Sequence, residues 1–182
     1  MDNGIIYFMP EEIYDMAAAS KGMAGFPLPE GAFREQYTPI ACTARLQQGE
    51  ALYLFFVITL PEAETPDVTE ELWMNAALTA GAELLEREWL EEAEAEGQTL
   101  SPLYAPGIGE MPLTASIRIA DFTGAEDLGV KVDENGLMHP AFTRAGYYVM
   151  AEELPKQEGC GCSGCLGGEG GCGLCQRFVY NH

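Results

Sequence analysis

The sequence predicts an α+β domain, with a mixed or antiparallel sheet packed against helices, followed by a C-terminal metal-binding tail. Three observations carry this. Two apolar runs, residues 40–46 and 51–60, flank Gln47-Gln48-Gly49-Glu50 and read as a β-hairpin. Asp67 and Glu70 stand at capping-box spacing ahead of a long stretch of helical period. Five of the six cysteines, Cys160, Cys162, Cys165, Cys172 and Cys175, crowd into one glycine-rich segment. The boundary is placed so that residues 1–155 form the domain and 156–182 the tail.

Taken in order, Pro10-Glu11-Glu12 opens a short helix running to about Ala19, with Ile13, Met16 and Ala17 on one face. Residues 21–39 are rich in glycine and proline and read as loop. In the second strand of the hairpin, Leu52, Leu54, Phe56 and Ile58 face one way. Tyr53, Phe55 and Val57 face the other, so both faces of the sheet should be covered. Residues 61–66 form a loop. A long helix then covers 69–95, with Trp73, Ala76, Ala77, Ala80, Leu84 and Leu85 toward the core and its small residues approaching the sheet. Its glutamates, Glu83, Glu86, Glu88, Glu91, Glu92, Glu94 and Glu96, read as a solvated face. Residues 99–112 are turn-rich. A helix is expected over 113–122, a short strand over 130–132, a turn at Asp133-Glu134-Asn135-Gly136 and a last strand over 147–154.

Charge and composition exclude several functions. The 182-residue chain holds 29 acidic and 9 basic residues, a formal charge of −20. Such a surface repels phosphate backbones and anionic lipid, so neither nucleic acid nor a membrane is an expected partner. The acidic excess favours solubility and suits a basic protein partner. No apolar run reaches the length of a membrane span. The start, Met1-Asp2-Asn3-Gly4, lacks a basic region followed by an apolar run, so a cytoplasmic location is expected. The two histidines, His139 and His182, belong to no Ser/His/Asp arrangement, and no phosphate-loop motif is present. Hydrolase chemistry therefore has little support.

Two C-x-x-C pairs, Cys162/Cys165 and Cys172/Cys175, are joined by six residues, with Cys160 as a fifth thiol. Two residues between cysteines let both sulfurs turn toward one centre, and glycine supplies the dihedrals for such turns. A segment with so few apolar side chains builds no core, so thiolate–metal bonds are the expected ordering force. An iron–sulfur cluster is the favoured occupant and zinc the alternative, since both take four thiolates. Redox-active or free thiols are the remaining reading. Cys42, far from the cluster, reads as a small buried thiol.

Two further segments matter together. One is Ala105-Pro106-Gly107-Ile108-Gly109-Glu110-Met111-Pro112-Leu113. The other is Leu128-Gly129-Val130-Lys131-Val132-Asp133-Glu134-Asn135-Gly136-Leu137-Met138-His139-Pro140, followed by Gly146-Tyr147-Tyr148. In this order they resemble the activation (reactivation) domain of cobalamin-dependent methionine synthase, and more closely its small stand-alone relatives that end in a cysteine cluster and arginine, as Cys175-Gln176-Arg177 does. The resemblance covers roughly residues 40–180. It implies an activation-domain-like fold and an accessory role in a corrinoid methyl-transfer system. Cobalamin would be met only through a partner, a corrinoid-binding protein or methyltransferase. In the family the domain binds S-adenosylmethionine. The resemblance maps that site onto Ala105, Pro106, Gly107 and Glu134, with Met138 and Pro140 completing the second motif. The family's arginine before the turn falls on Leu103, and its tyrosine after Pro-Gly falls on Ile108. Leucine pairs with no carboxylate and isoleucine has neither ring nor hydroxyl, which counts against S-adenosylmethionine recognition. A complete methyltransferase is not expected from a chain of this length. The alternative is a non-catalytic, zinc-ordered protein-interaction module on an inherited fold.

Overall fold

The computed structural model describes residues 2–63, 65–109 and 111–154. The chain opens with strand β1 (Asp2–Tyr7), helix α1 (Pro10–Ala19), a 3-10 turn (Lys21–Met23) and the short helix α2 (Gly31–Gln36). The hairpin follows as β2 (Ile40–Gln48) and β3 (Ala51–Thr59), then the long helix α3 (Val68–Ala95) and β4 (Thr99–Leu100). Helix α4 (Ala115–Thr123) leads through a second 3-10 turn (Ala125–Leu128) to β5 (Lys131–Val132), β6 (Met138–His139) and β7 (Thr143–Ala151). The main sheet has the order β1-β2-β3-β7-β4, and every pairing in it is antiparallel. β5 and β6 form a separate two-stranded ribbon.

The hairpin register runs from Ile40 opposite Thr59 to Gln48 opposite Ala51, which leaves Gly49-Glu50 as the turn. That register sends alternate side chains of β3 to opposite faces. Leu54, Phe56 and Ile58 pack with Tyr148 and Met150 of β7 against Met74, Leu78, Leu85 and Trp89 of α3. Tyr53, Phe55 and Val57 pack with Cys42, Ala145 and Val149 against Ile119 and Ala120 of α4. Both faces are covered, as the run of apolar residues in β3 requires. Each fully buried side chain of this size contributes about 1.5–3 kcal/mol, so the two faces together dominate the stability.

Helix α3 begins at the expected cap. The Asp67 carboxylate accepts from the N–H of Thr69 (2.8 Å) and Glu70 (2.9 Å), and Glu70 accepts from the N–H of Asp67 (2.8 Å). The expected inner face of this helix is buried, and it is divided between two neighbours. Leu85 packs with the sheet, whereas Trp73, Ala77, Ala80 and Leu84 cluster with Ile13, Tyr14 and Ala17 of α1. A second helix laid over the first buries it on two sides, and single-stripe reasoning assigns only one. The solvated glutamate face needs one exception as well. Glu92 is half-buried and forms a two-pronged pair with the Arg45 guanidinium on β2.

Other boundaries shift for local reasons. β1 was not expected, because Asp2-Asn3-Gly4 has poor strand propensity. It forms by pairing along β2, from Asp2 opposite Arg45 to Tyr7 opposite Ile40. The expected loop over 21–39 contains α2, anchored where Phe33 packs at a tilt against Tyr37 (4.7 Å between ring centres) and meets Tyr14 edge-on. β7 starts at Thr143 rather than 147, because the small residues Ala145 and Gly146 carry strand pairing without strand-like side chains. Among the described residues, no helix is long and apolar enough to cross a membrane.

Candidate ligand site

The first motif begins at the open end of the sheet. Ser101 is buried and holds the segment to β7 twice: its N–H donates to the Val149 carbonyl (2.8 Å), and its hydroxyl accepts from the Val149 N–H (2.9 Å). Three residues on, Tyr104 and Tyr147 exchange both backbone hydrogen bonds (3.0 and 2.9 Å), and their rings stack 5.0 Å apart. Gly146 makes this approach feasible. A Cβ there would lie 2.7 Å from Leu103 Cδ1 and 2.8 Å from the Tyr104 carbonyl oxygen, so any larger residue would push the segment off the sheet.

The Ala105-Pro106-Gly107 turn closes on itself. Ile108 N–H donates to the Ala105 carbonyl (3.1 Å) and Gly107 N–H to that of Met111 (3.0 Å). Ala105 and Pro106 are half-buried and Gly107 is exposed. Pro112 and Leu113 then lead into α4, with the N–H groups of Ala115 and Ser116 donating back to their carbonyls.

The second motif folds into a tight turn. One Asp133 carboxylate oxygen accepts from the N–H of Asn135 and of Leu137, both at 2.9 Å. The Leu137 N–H, above all, holds the Asp133 carboxyl below its usual range. Gly136 sits at φ +86°, a region that disfavours side chains, and is pressed onto the start of α4. Its carbonyl and that of Leu113 both accept from the Ser116 hydroxyl, each at 2.6 Å. One hydroxyl proton is thus shared between two backbone oxygens.

Leu113 therefore links the two motifs. Its carbonyl backs onto Gly136, and its Cδ1 lies 3.5 Å from where a Gly107 Cβ would be. The structure brings Ala105, Pro106 and Gly107 to one side of Leu113. The turn that carries the exposed Glu134 lies against its carbonyl, through Gly136. Met138 is half-buried against the α4-side core, and His139-Pro140 is a cis peptide. Leu103 (41 % exposed) and Ile108 (66 % exposed) sit on the rim.

Sequence reasoning missed Ser116, and it named Gly146 within the second motif without the close approach that this glycine permits. The available signals were a serine three residues past Leu113 and a glycine within an apolar strand. Cys42 is buried as expected; its thiol lies 3.7 Å from the Val57 carbonyl, and burial pushes its pKa up. A concavity of about 470 Å³ lined by Gln36, Tyr37, Glu62 and Glu70 lies elsewhere, at the start of α3. Among the described residues, no three histidine, cysteine, aspartate or glutamate side chains are grouped to hold a metal. The expected metal ligands Cys160, Cys162, Cys165, Cys172 and Cys175 lie outside the described residues.

An antiparallel five-stranded sheet covered by α3 on one face and α4 on the other, with both motif turns meeting at α4, defines an activation-domain-like α+β fold. The fold is similar to that in the crystal structure of the MetH reactivation domain bound to AdoHcy, with a TM-score of 0.56 and 12 % identity over 86 % of this chain and 81 % of that one. No family model matches the sequence, and no curated protein matches it.

Proposed function

We propose that this chain is an accessory protein of a corrinoid methyl-transfer system. It docks on a corrinoid-binding protein and carries a cysteine-held metal centre in residues 156–182. The observation that supports the reading most is the meeting of the Ala105-Pro106-Gly107 turn and the Glu134 turn across Leu113. Segments separated by some 25 residues resemble one family and abut in a fold like that of the MetH reactivation domain. An iron–sulfur cluster on these thiolates would supply one-electron transfer, whereas zinc would supply order alone.

S-adenosylmethionine is a poor fit for the rim. Its carboxylate would find leucine at 103 and isoleucine at 108, both exposed and neither able to pair with charge. Glu134 keeps a carboxylate at the tip of the second turn, where a cationic group could be met.

The test has two parts. Protein purified without air is assayed for iron and zinc and for visible absorbance. It is then mixed with a cob(II)alamin-loaded corrinoid protein and an external one-electron donor. Complex formation with faster cobalt reduction supports the proposal; no complex and no spectral change sink it. A second reading, a protein-interaction module without redox chemistry, is favoured by the apolar rim at Leu103 and Ile108. Zinc alone in the metal analysis would select it.

A further inference from the structure

Strand β1 is an edge of the main sheet, and among the described residues only β2 pairs with it. In antiparallel pairing, every second residue of an edge strand turns its N–H and C=O away from the sheet. Proteins commonly blunt such an edge by shortness, proline, lysine or a bulge. The opposite edge is blunted by shortness, since β4 is only Thr99–Leu100. β1 has six residues, contains no proline or lysine, and runs in unbroken register from Asp2 opposite Arg45 to Tyr7 opposite Ile40. Its side chains divide by face. Ile6, with Phe8 just beyond the strand, packs on the α3-side cluster. On the other face α4 reaches the strand at Asn3, whose amide donates to the Phe122 carbonyl (3.1 Å). Ile5 and Tyr7 follow on that face and stay 45 % and 72 % exposed, and Met9 after them is 63 % exposed. Single exposed apolar residues are ordinary, but three along one unpaired edge mark an interaction surface.

We infer that β1 is the docking edge for an extended, basic segment of a partner protein. The segment joins the sheet as a further strand, sets alternate apolar residues over Ile5 and Tyr7, and carries a lysine or arginine at each end. Both ends of the edge are acidic. Beside Asn3, a carboxylate oxygen of the exposed Asp127 lies 3.6 Å from where a Gly124 Cβ would stand, and the Asn3 amide nitrogen lies 4.0 Å from the same point. The exposed Glu126 directly precedes Asp127. Beyond Met9, α1 opens with the exposed Glu11 and Glu12. Arg87 pairs with Glu12 (3.3 Å) and leaves Glu11 to solvent.

Charge decides the occupant. A second copy of this chain fits badly. Two β1 edges side by side in antiparallel sense would set the Glu11 end of one against the Asp127 end of the other, between molecules of formal charge −20 each. A basic segment turns the same carboxylates into attraction at both ends. Backbone hydrogen bonds along some 20 Å of strand supply affinity, and the exposed Ile5 and Tyr7 supply side-chain preference. The edge lies across the sheet from β7 and β4, where residues 101–104 are held. It is therefore open while the motif turns are occupied, and it does not depend on the corrinoid reading.

The full-length protein is screened at low salt against a phage-displayed library of random peptides. Enriched peptides should alternate apolar residues and end in lysine or arginine. The strongest is synthesised and titrated by calorimetry. Tyr7→Lys, at an exposed position, should weaken binding at least tenfold with unchanged circular dichroism, and Ile5→Lys should act in the same direction. Affinity should fall as salt rises. Bound peptide should slow hydrogen exchange at residues 2–9. No enriched peptide, enrichment without basic ends, or equal binding by parent and both variants would overturn the inference. Exchange at residues 2–9 that the peptide leaves unchanged would also overturn it, whether the peptide binds elsewhere or another stretch of the same chain already covers the edge. A dimer in sedimentation that Tyr7→Lys dissociates would assign the edge to a second copy instead.

Discussion

A Cβ built on Gly136 would lie 2.3 Å from the carbonyl oxygen of Leu113. These two residues are where the ribbon of β5 and β6 is clamped to α4, and the contact tolerates no side chain. Gly136→Ala should therefore destabilise the protein by about 2 kcal/mol or more, combining the positive φ with a backbone clash. Ser116→Ala, which only removes a shared hydroxyl donor, should cost about 1–2 kcal/mol. Urea unfolding midpoints of the two variants, compared with the parent, check the order.

Arg45 and Glu92 form the bidentate pair that joins β2 to the glutamate-rich end of α3. Both side chains are partly open to solvent, at 39 % and 27 %. Screening limits the pair to about 1 kcal/mol or less. Glu92→Gln should lower stability by no more than that, and the difference should shrink as salt rises from 0.05 to 1 M. Glu91→Gln, one residue away on the exposed face, should change nothing measurable.

The rim positions 103 and 108 are tested by giving them a guanidinium and a phenol ring. Leu103→Arg with Ile108→Tyr should raise affinity for AdoHcy at least tenfold by supplying a guanidinium for the ligand carboxylate and a ring beside the turn. Calorimetric titration of parent and double variant reads the change directly. Equal affinity in both would show that the turn does not shape a site for this ligand.

Alkaline stability reports on Tyr148, buried between β3 and α3. Burial raises its phenol pKa, and the charge of Glu86 and a hydrogen bond to it push the same way. The folded state thus holds the proton to higher pH than the unfolded chain, whose tyrosines titrate near about 10. Stability is complete below that value and falls as pH rises above it, by at most about 1.4 kcal/mol per pH unit from this residue. Tyr148→Phe should flatten the fall between pH 9.5 and 11 in urea titrations, although other tyrosines will leave a residual slope.

Much of the architecture was legible in local pattern. The hairpin, the capping box at Asp67 and Glu70 and the double-faced β3 all appear where alternation and cap chemistry place them. These signals act over a few residues, through backbone hydrogen bonds and side-chain period, and so survive in a linear reading. β1 and α2 did not, because their residues have weak intrinsic preference and take their conformation from β2 and from Tyr14. Trp73, Ala77 and Ala80 are buried as their spacing requires, but α1 as their neighbour was not legible, because a helix periodicity names a face without naming what covers it.

The order of residues sufficed to mark both motif turns, the acidic charge and the sulfur-rich end, since each is a matter of residue type and spacing. It could not show that Gly107 and Gly136 converge on Leu113, that Ser116 bridges two carbonyls, or that Gly146 admits Leu103. Those facts depend on backbones far apart in the chain approaching within van der Waals distance. Such an approach follows from how the sheet and α4 pack, and the packing is set by the whole buried surface at once.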